Sequence, residues 1–314
     1  MQTREYIAEA LRSYREHLDL WGIRPALSYE DAFAGKPPAM LEEYADVVYR
    51  PVDDDEFYEW VATRDHLGPV HSTKWSEILT SGLWAHLVLR DLRISGRILD
   101  AGCNAGYWTT WESRFRSHPV VGIDCVASVI QLGKTMSMDS KLNCELHVSS
   151  YEQAGSLGVF DAVVSMQGIN RYMRRNDFTQ FDALARLVAP YGILLLIDSN
   201  PTPSKVHAFG RRVAKAGLGL IGVGCVGGLS LEHRTGRYPA FAFRRGFASP
   251  ATMEDAMSQY EEMWGVDFCN WASELDGDWT GINTAQYWTE GHPYWIRCDC
   301  GDVVKSFTPP TQAT

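Results

Sequence analysis

The sequence predicts an α/β protein centred on a doubly wound, parallel sheet, with a helical region before it. Three observations carry this. Between residues 96 and 200, short apolar strands alternate with helical stretches, the pattern of βαβ units. Residues 192–198 read GILLLID, a near-continuous apolar run that suits a strand covered on both faces. Residues 97–100 form a strand that runs into a glycine-containing turn and then a helix, the chain course of a ligand-cradling αβ junction.

Within the first 95 residues, Ile7, Leu11, Tyr14 and Leu18 recur at helical spacing and predict a helix over 4–20. Pro25, Gly35 and Pro37-Pro38 break the pattern, so the next stretch is expected as loops around short pieces. Asp53-Asp54-Asp55 before EFYEWVATR marks a helix start, because acids favour the positive end of a helix dipole. Another helix is expected from Trp75 to Leu92. Strands then follow at 97–100, 120–124, 144–149, 160–166 and 192–198, with helices at 107–118, 127–138 and 178–188 between them. A basic helix is expected from Lys205 to Lys215 and another helix from Met253 to Met263. Residues 285–288 and 294–298 are expected as closing strands. The chain thus divides into a helical cap (1–95), a sheet core (96–200), a basic glycine-containing insertion (201–250) and a C-terminal part of helix and closing strands (251–314).

The totals bound the function. With 45% hydrophobic and 22% charged residues, the chain has the composition of a folded domain rather than a disordered one. The N-terminus lacks the apolar core of a secretory signal, and the longest apolar run, 216–229, is too short and glycine-rich to span a bilayer. A cytoplasmic protein without a membrane span is the expectation, and seven scattered cysteines suit a reducing compartment. Cys298 and Cys300 stand alone as a close pair, so no metal site is expected. The net charge of −10 argues against sequence-independent nucleic-acid binding, which needs many basic contacts to phosphate. Residues 201–250 depart from this balance, with eight basic side chains against Glu232.

The chemistry concentrates in Leu99-Asp100-Ala101-Gly102-Cys103-Asn104-Ala105-Gly106-Tyr107-Trp108. Glycine after a strand permits sharp dihedrals and a close ligand approach. Asp124 ends the next strand, where a carboxylate can accept hydrogen bonds from both ribose hydroxyls of an adenosine. A nicotinamide fingerprint would need glycine at 104 and 107, where Asn104 and Tyr107 stand. A bland alternative is that Gly102 and Gly106 only shape a turn.

These residues resemble the class I S-adenosylmethionine-dependent methyltransferase family. Its acidic residue followed by G-x-G-x-G is similar to Asp100 through Gly106, with Asn104 in place of the middle glycine. Asparagine is the best non-glycine occupant of a left-handed position. Asp124 in VVGID matches the second acidic position, and FDAVVSM and Val188-Ala189-Pro190-Tyr191-Gly192 match later segments. The resemblance covers about residues 96–200. It implies a Rossmann-like sheet of that type, a helical N-terminal region, an insertion after the fifth strand, and S-adenosylmethionine as cofactor. It further implies cofactor contacts from Asp100, Gly102, Asn104, Gly106 and Tyr107, and from Asp124 and Cys125. Ser150, Tyr151 and Glu152 would contact the adenine, and Ser165, Met166 and Gln167 would flank the methionine.

A hydroxyl or ammonium acceptor must lose a proton, so a base is sought among Tyr172, Asp198, His71, His207 and His233; a lone loop histidine is more often structural. The basic insertion reads equally as a lid recognising an anionic small-molecule acceptor and as solvated surface. Trp264, Trp271, Trp279, Tyr287, Trp288, Tyr294 and Trp295 read as packing first and as an acceptor pocket second. The segment from Trp84 through Trp111, with its run Gly106-Tyr107-Trp108-Thr109-Thr110-Trp111, also faintly resembles the tRNA wobble-uridine carboxymethyltransferase family, so a tRNA-modifying alkyltransferase is an alternative. A catalytically silent cofactor-binding subunit is another. A homodimer is compatible with all three.

Overall fold

The computed structural model describes residues 1–49, 54–63, 66–137, 144–169, 178–197, 203–228, 236–249, 251–265 and 284–298. Its strands are β1 (Ile98–Ala101), β2 (Val120–Asp124), β3 (Cys144–Val148), β4 (Phe160–Met166), β5 (Val188–Ile197), β6 (Leu218–Gly228), β7 (Gly236–Arg245) and β8 (Trp295–Arg297). They form one sheet in the order β3-β2-β1-β4-β5-β7-β6-β8. The first five pair in parallel, and β7 enters antiparallel between β5 and β6. Parallel strands need crossover helices on both faces, which is why Ile193 to Ile197 are all fully buried. Complete burial of each of those side chains contributes about 1.5–3 kcal/mol.

The helices are α1 (Arg4–Leu20), α2 (Tyr29–Ala32), α3 (Pro38–Tyr49), α4 (Asp54–Thr63), α5 (Leu67–Ser72), α6 (Trp75–Asp91), α7 (Tyr107–Glu112), α8 (Ala127–Ser137), α9 (Thr179–Leu187), α10 (Pro203–Lys215), α11 (Met253–Gly265) and α12 (Thr284–Thr289). The Thr3 hydroxyl caps α1 by accepting from the Tyr6 amide at 3.3 Å, and α1 buries Ile7, Ala10, Tyr14 and Leu18. α6 is buried almost all round because it lies between α1 and the sheet. Its Trp84 donates to the Tyr294 carbonyl at 2.9 Å, and Trp108 of α7 donates back to the Gly82 carbonyl at 2.9 Å. No described helix is long and apolar enough to cross a membrane.

The structure corrects three expectations. Residues 38–49 form a full helix rather than loops; Pro38 occupies the first helical position, where its missing N–H costs nothing. Residues 284–289 are helix, whereas strand was expected at 285–288. The third correction is the largest. Instead of a lid, the described residues of 201–250 hold a crossover helix and two strands of the sheet. The glycines of β6 serve close packing: a Cβ at Gly224 would sit 2.2 Å from Trp84 Nε1, and one at Gly222 would sit 2.6 Å from the Trp295 ring. Low side-chain content there reflects tight contact, and not mobility.

The helical cap is joined to the sheet core by a buried ionic clasp. Glu112, at the end of α7, is wholly buried. Its Oε2 lies 2.7 Å from His86 Nδ1 in α6, and its Oε1 accepts from Arg116 Nε at 2.6 Å. The other His86 nitrogen meets the Tyr6 hydroxyl of α1 at 2.7 Å. Burial alone would raise the Glu112 carboxyl, but His86 and Arg116 outweigh it and hold the carboxyl below its ordinary value. Its stabilising contribution is therefore complete above the ordinary carboxylate range and is lost as the pH falls through the lowered value. Glu112→Ala should lower the unfolding free energy by about 3–5 kcal/mol at neutral pH, since it strands two buried partners. Denaturant titrations at neutral and acid pH check this; the deficit should shrink in acid, and a deficit that grows there would refute the assignment.

Candidate functional site

β1 ends at Ala101, and the chain must reverse within five residues to begin α7. It does so by placing Gly102, Asn104 and Gly106 at φ values of 80°, 54° and 80°, a left-handed region that suits glycine and tolerates asparagine. The Asn104 side chain supports its own strain: Oδ1 accepts from the Ala105 amide at 2.8 Å. The amides of Gly102 and Cys103 both donate to the Ile123 carbonyl of β2 at 2.9 Å. Asp124 then accepts from the Asn104 amide through Oδ2 at 2.9 Å and from the Val126 amide through Oδ1 at 3.0 Å. A carboxylate oxygen takes more than one hydrogen bond, so these contacts orient Asp124 without exhausting it. Cys125 beside it is exposed.

Beneath the turn lies a buried carboxyl with one oxygen unmet. Asp100 is 1% exposed; Oδ2 accepts from the Thr109 hydroxyl at 2.6 Å, while Oδ1 is buried without a partner. Burial raises its pKa to about 7, with Thr109 opposing and Asp124 and Glu112 adding to the rise. Ser165, near the end of β4, has a fully buried hydroxyl that also lacks a partner. Two orphaned polar atoms at the ends of adjacent strands suit a polar ligand group. The Tyr151 hydroxyl converges on the same place, 3.0 Å from where a Cβ on Gly102 would sit and 2.6 Å from one on Gly168. Tyr151, expected beside the adenine, has its hydroxyl at the β1 and β4 ends.

The roof comes from the cap. α4 packs on α8, and His71 at the end of α5 lies edge-on to Tyr107 with ring centroids 5.6 Å apart. Tyr58 of α4 stacks on His71. His71 Nδ1 is 2.8 Å from the Leu67 carbonyl; a carbonyl only accepts, so Nδ1 carries the proton and Nε2 keeps its lone pair. Among the described residues Nε2 has no hydrogen-bond partner. Burial lowers the His71 pKa to about 4, so the ring is neutral near pH 7. Burial, then Tyr58 and Asp100, push the Tyr107 phenol upward, so it stays protonated. His17 fixes the turn from below: its Nδ1 lies 3.0 Å from Arg114 Nη2 and its Nε2 lies 2.8 Å from the Tyr107 carbonyl oxygen.

Gly102, Asn104, Gly106, Tyr107 and Asp124 thus meet at one place, with Asp100 and Ser165 below and His71 above. Met166 and Gln167 follow Ser165, with Gln167 at φ 63°. Ser150 and Glu152 are turned to local partners: Ser150 exchanges hydrogen bonds with Gln153, and Glu152 accepts from Gln180 of α9. His207 is exposed on α10 and pairs with Glu254 at 2.9 Å, so the structure does not bring it to this group. Tyr172, Asp198 and His233 lie outside the described residues, as do Trp271, Trp279 and Cys300. Sequence reading missed Gly168 and Thr109. Gly168 was legible as a lone glycine after a strand, whereas Thr109 becomes visible only when α7 packs beside β1. Among the described residues no cluster of three or more His, Cys, Asp or Glu is placed to hold a metal ion.

Residues 98–192 match the sequence profile of the methyltransferase domain family. No curated protein matches the chain by sequence. Among solved structures, the chain is similar to magnesium protoporphyrin IX methyltransferase from Synechocystis with bound S-adenosylmethionine, at 16% identity and a TM-score of 0.43 over 52% of this chain and 76% of that one. It is similar to the N-methyltransferase NodS from Bradyrhizobium japonicum with S-adenosylhomocysteine, at 17% identity and a TM-score of 0.40 over 52% and 86%. A methyltransferase from Methanosarcina mazei aligns at 14% identity and a TM-score of 0.41 over 52% and 98%. Likeness of this degree carries no information about the acceptor.

The turn is buttressed from behind by α8. A Cβ on Gly133 would lie 2.1 Å from the Ala105 carbonyl oxygen, a clash with backbone that no rotamer relieves. Gly133→Ala should therefore displace the turn, destabilise the fold by about 1–3 kcal/mol, and weaken S-adenosylhomocysteine binding. Thermal unfolding and calorimetry check this; wild-type affinity would show that the turn is not held by this contact.

Proposed function

We propose that this chain, which carries a class I S-adenosylmethionine-dependent methyltransferase domain over residues 98–192, transfers a methyl group to a small-molecule acceptor. The observation that carries the reading is the left-handed turn over a buried, half-satisfied Asp100 with Asp124 fixed alongside. When bound, the cofactor supplies a methyl group on a positively charged sulfur, open to in-line displacement. This chain's part is to hold donor and acceptor in line and to exclude water, a contribution that can be large by itself.

The residues fit the cofactor's chemistry. The bare backbone of Gly102, Asn104 and Gly106 lets a ligand approach closely, and Asp124 is oriented to accept from ribose hydroxyls. Asp100 Oδ1 and Ser165 Oγ, both orphaned, suit the ammonium and neighbouring polar atoms of the methionine part. Cys125, Ser150, Tyr151 and Glu152 would border the nucleoside, and Met166 and Gln167 the methionine. Tyr107 and His71 face one another above the turn. With its pKa near 4, His71 is a weak base but a good neutral hydrogen-bond acceptor, so its part is to orient an acceptor N–H or O–H. Tyr172 and Asp198 remain the candidates for taking the proton. A small acceptor accords with the roof of α4 and α5 and with the net charge of −10. The seven scattered cysteines accord with a reducing, cytoplasmic setting. Incubation with S-adenosylmethionine and a metabolite panel, followed by assay of S-adenosylhomocysteine, tests the reading. Turnover with tRNA alone, or binding with no turnover at all, would overturn it.

Two outcomes are expected from the cofactor side. Asp124→Ala should weaken S-adenosylhomocysteine binding by about 1–3 kcal/mol, the typical loss for a charged hydrogen-bonding group; calorimetry with unchanged affinity would dismiss the ribose placement. Asp100 supplies a pH dependence. Its raised pKa of about 7 means that the free protein loses stability as the pH climbs from the ordinary carboxylate range to that value, and a bound ammonium offsets the cost. Affinity should rise about tenfold between roughly pH 6 and pH 8, with proton release on binding. Calorimetry in two buffers of different ionisation enthalpy reads the proton; uptake, or a flat profile, would remove Asp100 from the site.

A further inference from the structure

Glu77 sits in the first turn of α6, a helix otherwise apolar along most of its length. It is only 3% exposed. One carboxyl oxygen, Oε1, accepts from the Tyr238 hydroxyl at 2.9 Å. Among the described residues no cation approaches it, and its second oxygen has no hydrogen-bond partner. An acid near a helix N-terminus gains about 0.3–1 kcal/mol from the dipole. Burying a carboxylate without a counter-charge costs several kcal/mol. Helix chemistry and one neutral hydroxyl therefore do not account for Glu77.

Its neighbourhood is polar and incompletely satisfied. Ser81 lies one turn later on the same helical face, and its buried hydroxyl has no partner. Thr80 between them is fully used, accepting from the Gly227 amide at 2.8 Å and donating to the Ser76 carbonyl at 2.7 Å. The place in the sheet is informative. Ile197 at the end of β5 pairs with Ala240, which pairs with Gly224. Tyr238 and its partner Val226 therefore project beyond the end of β5, on the edge where β1 gives way to the Gly102 turn. α6 begins three residues after Ser72, so Glu77 lies close in chain to His71 in the roof.

Two basic residues of 201–250 are engaged elsewhere. Arg212 pairs with Asp182 of α9, and Arg245 bonds the Ala185 carbonyl. Arg245 pairs with Leu218 at the start of β6, the opposite edge of the sheet. These two basic groups thus stand away from the site edge, where the open group is a carboxyl.

We propose that the acceptor carries a protonated amine, and that Glu77 grips this amine with its open oxygen while Tyr238 fixes the other. Glu77 is here a specificity-determining binding residue; the accepting atom need not be the gripped nitrogen. The proposal rests on the methyl-transfer reading. The test uses the full chain saturated with S-adenosylhomocysteine and a matched probe set of 2-phenylethylamine, 2-phenylethanol and phenylacetate, with butylamine, butanol and butyrate as a second set. Binding is followed by calorimetry and ligand-observed NMR. Amines should bind, and the matched alcohols and carboxylates should bind at least tenfold more weakly. Glu77→Gln should weaken the amines about tenfold or more while leaving S-adenosylhomocysteine affinity unchanged. Tyr238→Phe, which removes only the orienting hydroxyl, should cost a few-fold and serves if the first variant does not fold. Preference for the carboxylates, no amine binding, or amine binding unaltered in both variants would overturn the proposal. Failure of S-adenosylhomocysteine itself to bind would instead bring down the methyl-transfer reading, and this proposal with it.

Discussion

Everything at the site is suspended from one backbone constraint: three residues in five must take positive φ between β1 and α7. Only glycine, or asparagine with its side chain turned back on the chain, fills those positions at small cost. Because Gly102 lacks a side chain, the end of β1 presents bare backbone toward the Tyr151 hydroxyl and Gly168. Because the same turn donates twice to Ile123 and once to Asp124, the carboxylate of β2 cannot move independently of it. Turn and carboxylate are thus one rigid unit, as the proposed transfer by alignment requires.

That unit is also what positions the cap. His17 of α1 binds the Tyr107 carbonyl just past the turn, and the Tyr6–His86–Glu112–Arg116 clasp joins α1, α6 and α7 within the same two turns of helix. Gly82 completes the junction, since a Cβ there would lie 2.4 Å from the Tyr14 hydroxyl. A buried ion pair of this kind is not a large net source of stability, because desolvation offsets attraction. Its effect is on arrangement. Helices that could slide on an apolar interface are locked in register, and His71 is held over Tyr107.

The central region was legible in the sequence because its signals are local. Strand, turn, helix and acidic residue recur at fixed spacing from Ile98 to Ile197, and each is set by neighbours in the chain. The region from 201 to 250 was misread because glycine has two meanings. In Gly219, Gly222 and Gly224 it permits contact with Phe247, Trp295 and Trp84, residues distant in sequence, and composition alone reads as mobility. For the same reason the turn residues at 102, 104 and 106 could be named in advance, whereas Glu77 could not. An acid at the start of a helix is ordinary on the surface, and only the packing of β6 and β7 against α6 makes this one buried. The local partners of Glu152 and His207, Gln180 and Glu254, were likewise invisible until helices were in place.

Three buried carboxyl groups among the described residues allow a comparison that isolates function from structure. Glu112 is surrounded by donors that neutralise it, His86 and Arg116, and its pKa is held down accordingly. Asp100 has the Thr109 hydroxyl, an orphaned second oxygen and a pKa raised to about 7. Glu77 has the Tyr238 hydroxyl and nothing else among the described residues. A neutral hydrogen bond is worth about 1 kcal/mol net, well short of the several kcal/mol lost when a carboxylate leaves water. Where a buried acid only joins helices, this fold supplies a full counter-charge. The two acids left without one both lie toward the edge at which the parallel strands end. A missing positive charge beside each is more economical an explanation than two separate defects of packing, and it makes the unmet cost of folding the driving force for binding.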